Sequence, residues 1–413
     1  MKKTLLCALC LLLLMLGLPT PAAAAAAEVK KPVLKSAQMG ILYEETTDTL
    51  LFQMNGDVQN VPASLTKVMT AILVLEYDPN LEGTTIVSEA AISDRYCNWK
   101  DDFYLQAGED VTVRDLMHYL LIASGNEAAT VLAEYVAGSV EEFLVMMNDK
   151  AQALGMTQTE YYDPHGLSPS NRITCQDMVT LCREAMKNET FRSIVCQSSG
   201  TLPKNSQRNW EHKYKTTNRL LRHGNTPGYV TDYVEDILGI KTGSTSAAGL
   251  NFACCMKKDD LVFYSVVMHA DSMYYQGNTV SGHFVDTVFL LDYARNFSKT
   301  GFAAGETVGK LSTQGSMLKN LSVSVQEDFY ALSTGEAKVE LVAAEDLGKT
   351  VKKGDIVGKA VITDDFGNTK EVALVADADA NTNMLQYALF VVPVLIVAAV
   401  VVLVCKRKQN AKA

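Results

Sequence analysis

The 413-residue chain lacks the basic surplus of a nucleic-acid binder. Its 47 acidic and 37 basic side chains leave a formal net charge of −10 at pH 7, whereas phosphate binding needs a basic footprint. Its six histidines (His118, His165, His212, His223, His269 and His283) form no HExxH or similar pattern, and its cysteines show no CxxC or Cys/His ligand spacing. The sequence therefore gives no argument for a metal centre. It also lacks internal repeats, long blocks of like charge and low-complexity tracts, apart from the alanines before residue 28. Collagen-like and globally disordered classes are thereby excluded. What is present, 413 residues at 48% apolar composition, suits two or three domains with a sizeable core.

Both ends carry targeting signals. Lys2-Lys3, the apolar run Leu5–Leu18 and the proline- and alanine-rich stretch to residue 27 have the three parts of a secretory signal peptide. At the other end, 385–405 contains no charged residue and is followed at once by Lys406-Arg407-Lys408. At roughly 1.5 Å per residue a helix of that length spans a bilayer core. The basic tail, 406–413, is expected inside and the body outside. With the signal removed and Cys405 at the membrane edge, Cys97, Cys175, Cys182, Cys196, Cys254 and Cys255 remain outside. A disulfide framework and buried free thiols both stay open for them.

Between the ends, alternation over 38–54 predicts a hairpin. Thr112/Asp115, Ser139/Glu142 and Thr174/Asp177 each stand as a cap three residues before its partner at the start of a helical run, and Gly155 could end the second. Residues 237–267 read as strands with a turn at 257–260, and 280–296 as a helix. Beyond residue 300 the character changes to short strands over 321–325, 338–342, 357–362 and 371–375, punctuated by Gly354-Asp355 and Gly367-Asn368. The domains expected are a catalytic domain over 28–298 and a small β-rich domain over 299–380.

Three short elements carry the chemistry. Ser64-Leu65-Thr66-Lys67 opens the apolar run Val68–Leu75, so a hydroxyl and an amine share one face at a helix N-terminus. A serine attacks only when a base takes its proton, and a lysine beside a second cation has the lowered pKa that suits a base. The helix N-terminus adds N–H groups and positive potential for an oxyanion. Lys241-Thr242-Gly243 follows a strand-like run and precedes small residues, which let a ligand approach the backbone. Ser124-Gly125-Asn126 ends a helical run, and by itself reads as a helix stop with a glycine. Neither end motif is unique: Ser316–Lys319 and Lys299-Thr300-Gly301 repeat the patterns, the second as the expected cap of the preceding helix. Order and context favour Ser64, Ser124 and Lys241.

From about residue 36 to 375 the chain resembles the low-molecular-mass penicillin-binding proteins that are serine-type D-alanyl-D-alanine carboxypeptidases. The resemblance lies in Pro62–Thr70, Ser124–Asn126, His165–Leu167, Asn218–Leu221, Gly239–Gly243 with Ala247–Gly249, and Val351–Gly358. It implies an α/β (α+β) fold: an antiparallel sheet flanked by helices, as in β-lactamase and penicillin-binding transpeptidase-like domains. A small all-β domain and a C-terminal transmembrane helix would follow. It implies Ser64 as the acylated nucleophile, Lys67 as its base, and Ser124 and Asn126 as proton relay and substrate amide holder. Lys241 would supply positive charge, Thr242 and Arg219 would hold the terminal carboxylate, and Ser64 and Ser244 would give the oxyanion-hole N–H groups. The implied partners are peptidoglycan stem peptides ending in D-Ala-D-Ala, with β-lactams as covalent inhibitors; no cofactor or metal is implied.

Two departures stand out. The region Val267–Asp271 lacks an arginine that some relatives carry there, and Ser244 stands where relatives often have histidine. A D,D-endopeptidase or a β-lactamase of the same superfamily is the alternative activity, although the loop 165–171 offers no glutamate for fast deacylation. His165 either shapes the site rim or simply bonds nearby backbone. Tyr161, Tyr162 and Trp210 are read as packing residues.

Overall fold

A computed structural model describes residues 29–93, 105–221, 234–311, 321–335, 337–345, 350–381, 392–397 and 399. The chain divides into Met1–Lys30 and Lys31–Ala413, and every element named here belongs to the second. Its N-terminal half is built on β1 (Met39–Glu44), β2 (Thr49–Met54), α1 (Lys67–Tyr77), α2 (Val113–His118), α3 (Asn126–Ala137), α4 (Val140–Ala153), α5 (Cys175–Lys187), β3 (Ile237–Thr245), β4 (Gly249–Lys258), β5 (Leu261–Ala270) and α6 (Gly282–Ala294).

The strands form one antiparallel sheet in the order β2-β1-β5-β4-β3. Both faces are covered, so successive residues of a central strand are all buried. Ala253 and Cys255 of β4 join the core shared with α1, α3 and α5, while Phe252 turns the other way onto Phe284 of α6, ring centroids 5.1 Å apart. Cys254 and Cys255 therefore face opposite layers, as adjacent strand residues must. Both are buried free thiols, as are Cys175 and Cys182, while Cys196 is exposed and unpaired; Cys97 lies outside the described residues.

The local signals act as written. The Glu44 carboxylate closes the β1–β2 hairpin, accepting from the N–H groups of Thr46 and Thr47 at 2.8 and 2.7 Å. The Thr112, Ser139 and Thr174 hydroxyls accept from the N–H groups of Asp115, Glu142 and Asp177 at 3.0, 3.2 and 3.0 Å, so one orphan donor at the start of each of these helices is satisfied.

Nine further strands follow among the described residues, seven of them longer than two residues: β6 (Ser298–Phe302), β7 (Thr307–Leu311), β8 (Leu321–Val325), β9 (Phe329–Ser333), β10 (Lys338–Ala343), β11 (Ile356–Thr363) and β12 (Thr369–Ala376). Five of them form a sheet in the order β7-β8-β12-β11-β10, and β6 pairs with β9. Val323, Phe329, Val357, Ile362 and Leu374 fill a core of their own. Phe366 stacks against Phe297 at 5.5 Å, and Lys370 donates to the carbonyl of Thr47, joining this domain to the first.

One expectation is corrected here. Lys299-Thr300-Gly301 does not cap the preceding helix, which ends at Ala294; it lies inside β6. The cause is long-range pairing of Lys299 with Leu332 and Gly301 with Tyr330, which no local signal announces. The second S-x-x-K, Ser316–Lys319, lies outside the described residues, as do residues 1–28 with the expected signal. Most of 385–405 lies outside them too. Residues 392–397 are helical with exposed side chains, and among the described residues no helix is long and apolar enough to cross a membrane.

Candidate active site

Ser64 sits in a 3-10 turn, Ala63–Thr66, that feeds directly into α1. The residue before it, Ala63, has φ +50°, an uncommon conformation for a residue with a side chain. Three neighbours hold this turn. Asn251 of β4 donates to the carbonyls of Val61 and Pro62 at 2.9 and 3.0 Å. A Cβ on Gly243 of β3 would stand 2.8 Å from the Pro62 oxygen and 3.0 Å from the Ser64 nitrogen. A Cβ on Gly166, whose φ is +92°, would stand 1.8 Å from the Ala63 oxygen. Glycine at 243 and 166 is thus the condition for packing the nucleophile turn between sheet and loop.

Lys67 lies one turn on and is fully buried. Its Nζ donates to Ser64 Oγ at 2.8 Å, Asn126 Oδ1 at 2.7 Å and the His165 carbonyl at 2.8 Å. The loop supplying that carbonyl is folded around Asp163, whose carboxylate accepts from the N–H of His165 and from Asn171 Nδ2, both at 3.1 Å, and from the N–H groups of Gly166 and Ser168. Thr70 of α1 ties the same loop down by donating to the Pro164 carbonyl at 2.6 Å. The His165 ring is buried and accepts from the N–H of Leu167 at 3.2 Å, which agrees with the backbone-bonding reading of this residue.

Ser124-Gly125-Asn126 ends a π-helical turn, Tyr119–Ala123. Such turns collect at functional sites. The left-handed residue is the serine, φ +69°, and not the glycine, φ −53°. Gly125 is required for another reason: a Cβ there would stand 2.3 Å from the Tyr119 ring. The helix stop is therefore made by Ser124, which aims it into the cleft, and Asn126 opens α3 with its amide oxygen on Lys67.

Lys241 comes from β3 and is 1% exposed. Its Nζ donates to the Thr242 carbonyl at 3.0 Å. Burial first, and the Lys67 charge second, hold this amine well below the ordinary lysine range. Thr242 donates to Thr217 Oγ1 at 2.6 Å. A cleft of about 300 Å³ lies over these groups, lined among the described residues by Ser64, Ser124, Arg219, Thr242, Ser244 and His283 with their neighbours.

Residues 25–272 match the family of D-alanyl-D-alanine carboxypeptidases, peptidase S11. The chain belongs to this family. Residues 298–382 match the C-terminal domain of penicillin-binding protein 5. The chain is 30% identical to the D-alanyl-D-alanine carboxypeptidase DacC of Escherichia coli over 347 residues, 78% of each chain. It is 25% identical to DacF of Bacillus subtilis over 355 residues, 83% of this chain and 85% of that one. The crystal structure of penicillin-binding protein 5 from Haemophilus influenzae superimposes with a TM-score of 0.62 at 25% identity, covering 86% of this chain and 99% of that one.

The carboxypeptidase fold brings together the residues singled out from sequence. Ser64, Ser124, Arg219, Thr242 and Ser244 line one cleft, and Lys67, Asn126 and Lys241 stand against it. Sequence reasoning missed the support beneath them. His269, φ +53°, donates its N–H to Asn251 Oδ1 at 2.9 Å and meets Asn60 Oδ1 through Nδ1 at 3.2 Å, and Asn60 donates to the Ala248 carbonyl at 3.1 Å. A lone Asn or His carries no spacing signal, so nothing short of the fold could reveal this brace. Of the three aromatics read as packing, Tyr161 is buried, but Tyr162 and Trp210 are 48% and 42% exposed. Trp210 instead lies over Arg208 and edge-on to His212, 5.5 and 5.8 Å away.

Proposed function

We propose that this chain is a serine D,D-carboxypeptidase that removes the terminal D-alanine from peptidoglycan stem peptides through an acyl-enzyme on Ser64. The observation that carries the reading is the buried Lys67 amine, 2.8 Å from Ser64 Oγ and anchored by Asn126. In its uncharged form Lys67 keeps two N–H donors and a lone pair, and at that distance the lone pair takes the hydroxyl proton as Oγ attacks the carbonyl carbon of the penultimate D-alanine. The backbone N–H groups of Ser64 and Ser244 receive the oxyanion. As the intermediate collapses, the peptide C–N bond breaks and the leaving amine takes a proton through Ser124. Water then attacks the ester carbon, returns a proton to Ser64 and frees the shortened peptide.

Lys241 and Arg219 would bind the free carboxylate end, with Thr242. Burial and Lys67 lower the Lys241 pKa, and an arriving anion acts in the opposite sense and favours the charged amine. β-Lactams would acylate the same serine. No carboxylate lines the cleft among the described residues, which favours slow deacylation of such adducts over β-lactamase turnover.

The body of the protein would act outside the cell. Residues 1–27 would direct export, 385–405 would anchor the chain in the membrane after the β domain, and the basic tail 406–413 would stay inside. Protease treatment of intact spheroplasts should then digest the body and spare the tail. The decisive assay is D-alanine release from a pentapeptide by the full chain in detergent. Wild type should release it and Ser64→Ala should not. Equal release by both would refute the reading.

A further inference from the structure

The cleft contains a buried histidine that the mechanism does not use. His283 lines it beside Arg219, Thr242 and Ser244, is 5% exposed, and has an Nδ1 that is buried without a hydrogen-bond partner. A polar nitrogen left unpaired in a protein interior is uncommon and needs an explanation. The ring is not loosely held. It lies 4.1 Å from the Phe284 ring and 6.2 Å from Phe252, centroid to centroid.

The backbone beneath it is fixed by residues 35–37. Asp286, one turn along α6, accepts from the N–H groups of Lys35, Ser36 and Ala37 at 2.6, 2.9 and 2.7 Å. Gly282 donates to the Asp271 carbonyl at 2.9 Å, and a Cβ on it would stand 2.2 Å from Ser36 Oγ. His283 is therefore presented from a clamped first helical turn, the arrangement expected of a residue whose position matters.

We propose that His283 is a chain-end recognition residue, whose ring N–H donates to the terminal carboxylate of the substrate beside the Arg219 guanidinium. The inference rests on the carboxypeptidase reading and adds a residue to it. Burial, and then the Arg219 charge, push the imidazole down to about 3, so it stays uncharged at neutral pH. The helix N-terminus acts in the same direction. A neutral imidazole carries one N–H. We place that proton on Nε2, since an N–H at Nδ1 would be buried with no acceptor. It would give the cleft a second donor next to the guanidinium where the strand at 267–271 offers no arginine.

The test compares D-alanine release from a diacetyl-lysyl-D-Ala-D-Ala peptide with release of D-alaninamide from its C-terminal carboxamide, using the full chain in detergent. Losing a hydrogen bond to a charged group should lower kcat/KM of H283F for the free acid about 10- to 100-fold, while the carboxamide changes less than about twofold. H283Q, which keeps an N–H donor, should recover part of the acid-to-amide ratio. The ratio does not depend on the folded fraction, and should H283F give no protein that a fluorescent penicillin labels, H283A and H283Q carry the same measurement. An unchanged ratio in these variants would overturn the assignment while leaving the carboxypeptidase reading intact. Wild type that cleaves neither peptide would overturn both.

Discussion

The chain writes Lys-Thr-Gly twice, and both copies lie in strands. Lys241 in β3 is buried beside Lys67 without an anion close by among the described residues, and its glycine abuts the nucleophile turn. Lys299 in β6 is partly exposed, 3.6 Å from the Asp260 carboxylate and 4.3 Å from the Tyr330 ring centroid. Its glycine abuts backbone instead: at φ +148°, a Cβ on Gly301 would stand 2.0 Å from the Phe329 oxygen. The tripeptide therefore has no fixed meaning. What it faces decides whether its lysine is a buried amine held below its ordinary pKa or an ordinary surface ion pair.

Substitution should separate the copies most sharply at the lysines. Lys241→Ala is expected to lower kcat/KM for D-alanine release about 100- to 1000-fold, the scale of losing a preorganised electrostatic group. Lys299→Ala should leave it within about twofold, because an exposed pair contributes under about 1 kcal/mol. Comparable losses from both would erase the distinction.

The glycines should diverge in kind. Gly243→Ala is expected to slow penicillin acylation by at least about 10-fold through displacement of the Ser64 turn, with little change in melting. Gly301→Ala should destabilise the β domain by about 1–3 kcal/mol and leave acylation unchanged. Stopped-flow labelling and thermal melting read the two effects separately.

The smallest effect is the most specific to Lys241. Its unfolded form titrates near 10.5 and its folded form lower. Between those values the unfolded chain binds more protons, so this residue makes stability rise with pH and costs stability as pH falls through the window. Lys241→Met removes that dependence. The variant should gain on wild type as pH drops from 10, by at most about 1.4 kcal/mol per pH unit. Denaturation midpoints at pH 7, 8.5 and 10 would decide it.

The comparison also marks what could be read beforehand. Helix starts were legible because Thr112, Ser139 and Thr174 satisfy donors three residues away. Four strands of the second domain, β8, β10, β11 and β12, were legible as short runs between turns, whereas β6, β7 and β9 were not. Ser64, Ser124, Arg219 and Lys241 were legible through motif order and resemblance. Whatever depends on pairing across the chain was hidden. Gly301 finds Tyr330, Asn251 finds Val61, and Asp286 finds residues 35–37. The same holds for His283, whose position beside Arg219 is set by α6 and the sheet together. Local physics names elements, and only the assembled fold names neighbours.

The central claim is that Ser64, activated by Lys67, is the residue acylated in this cleft. Mapping the covalent adduct of a penicillin by peptide mass spectrometry on the full chain tests it most directly. The adduct should fall on the peptide containing Ser64 and vanish in both Ser64→Ala and Lys67→Ala. An adduct on any other residue, or undiminished labelling of Lys67→Ala, would contradict the account.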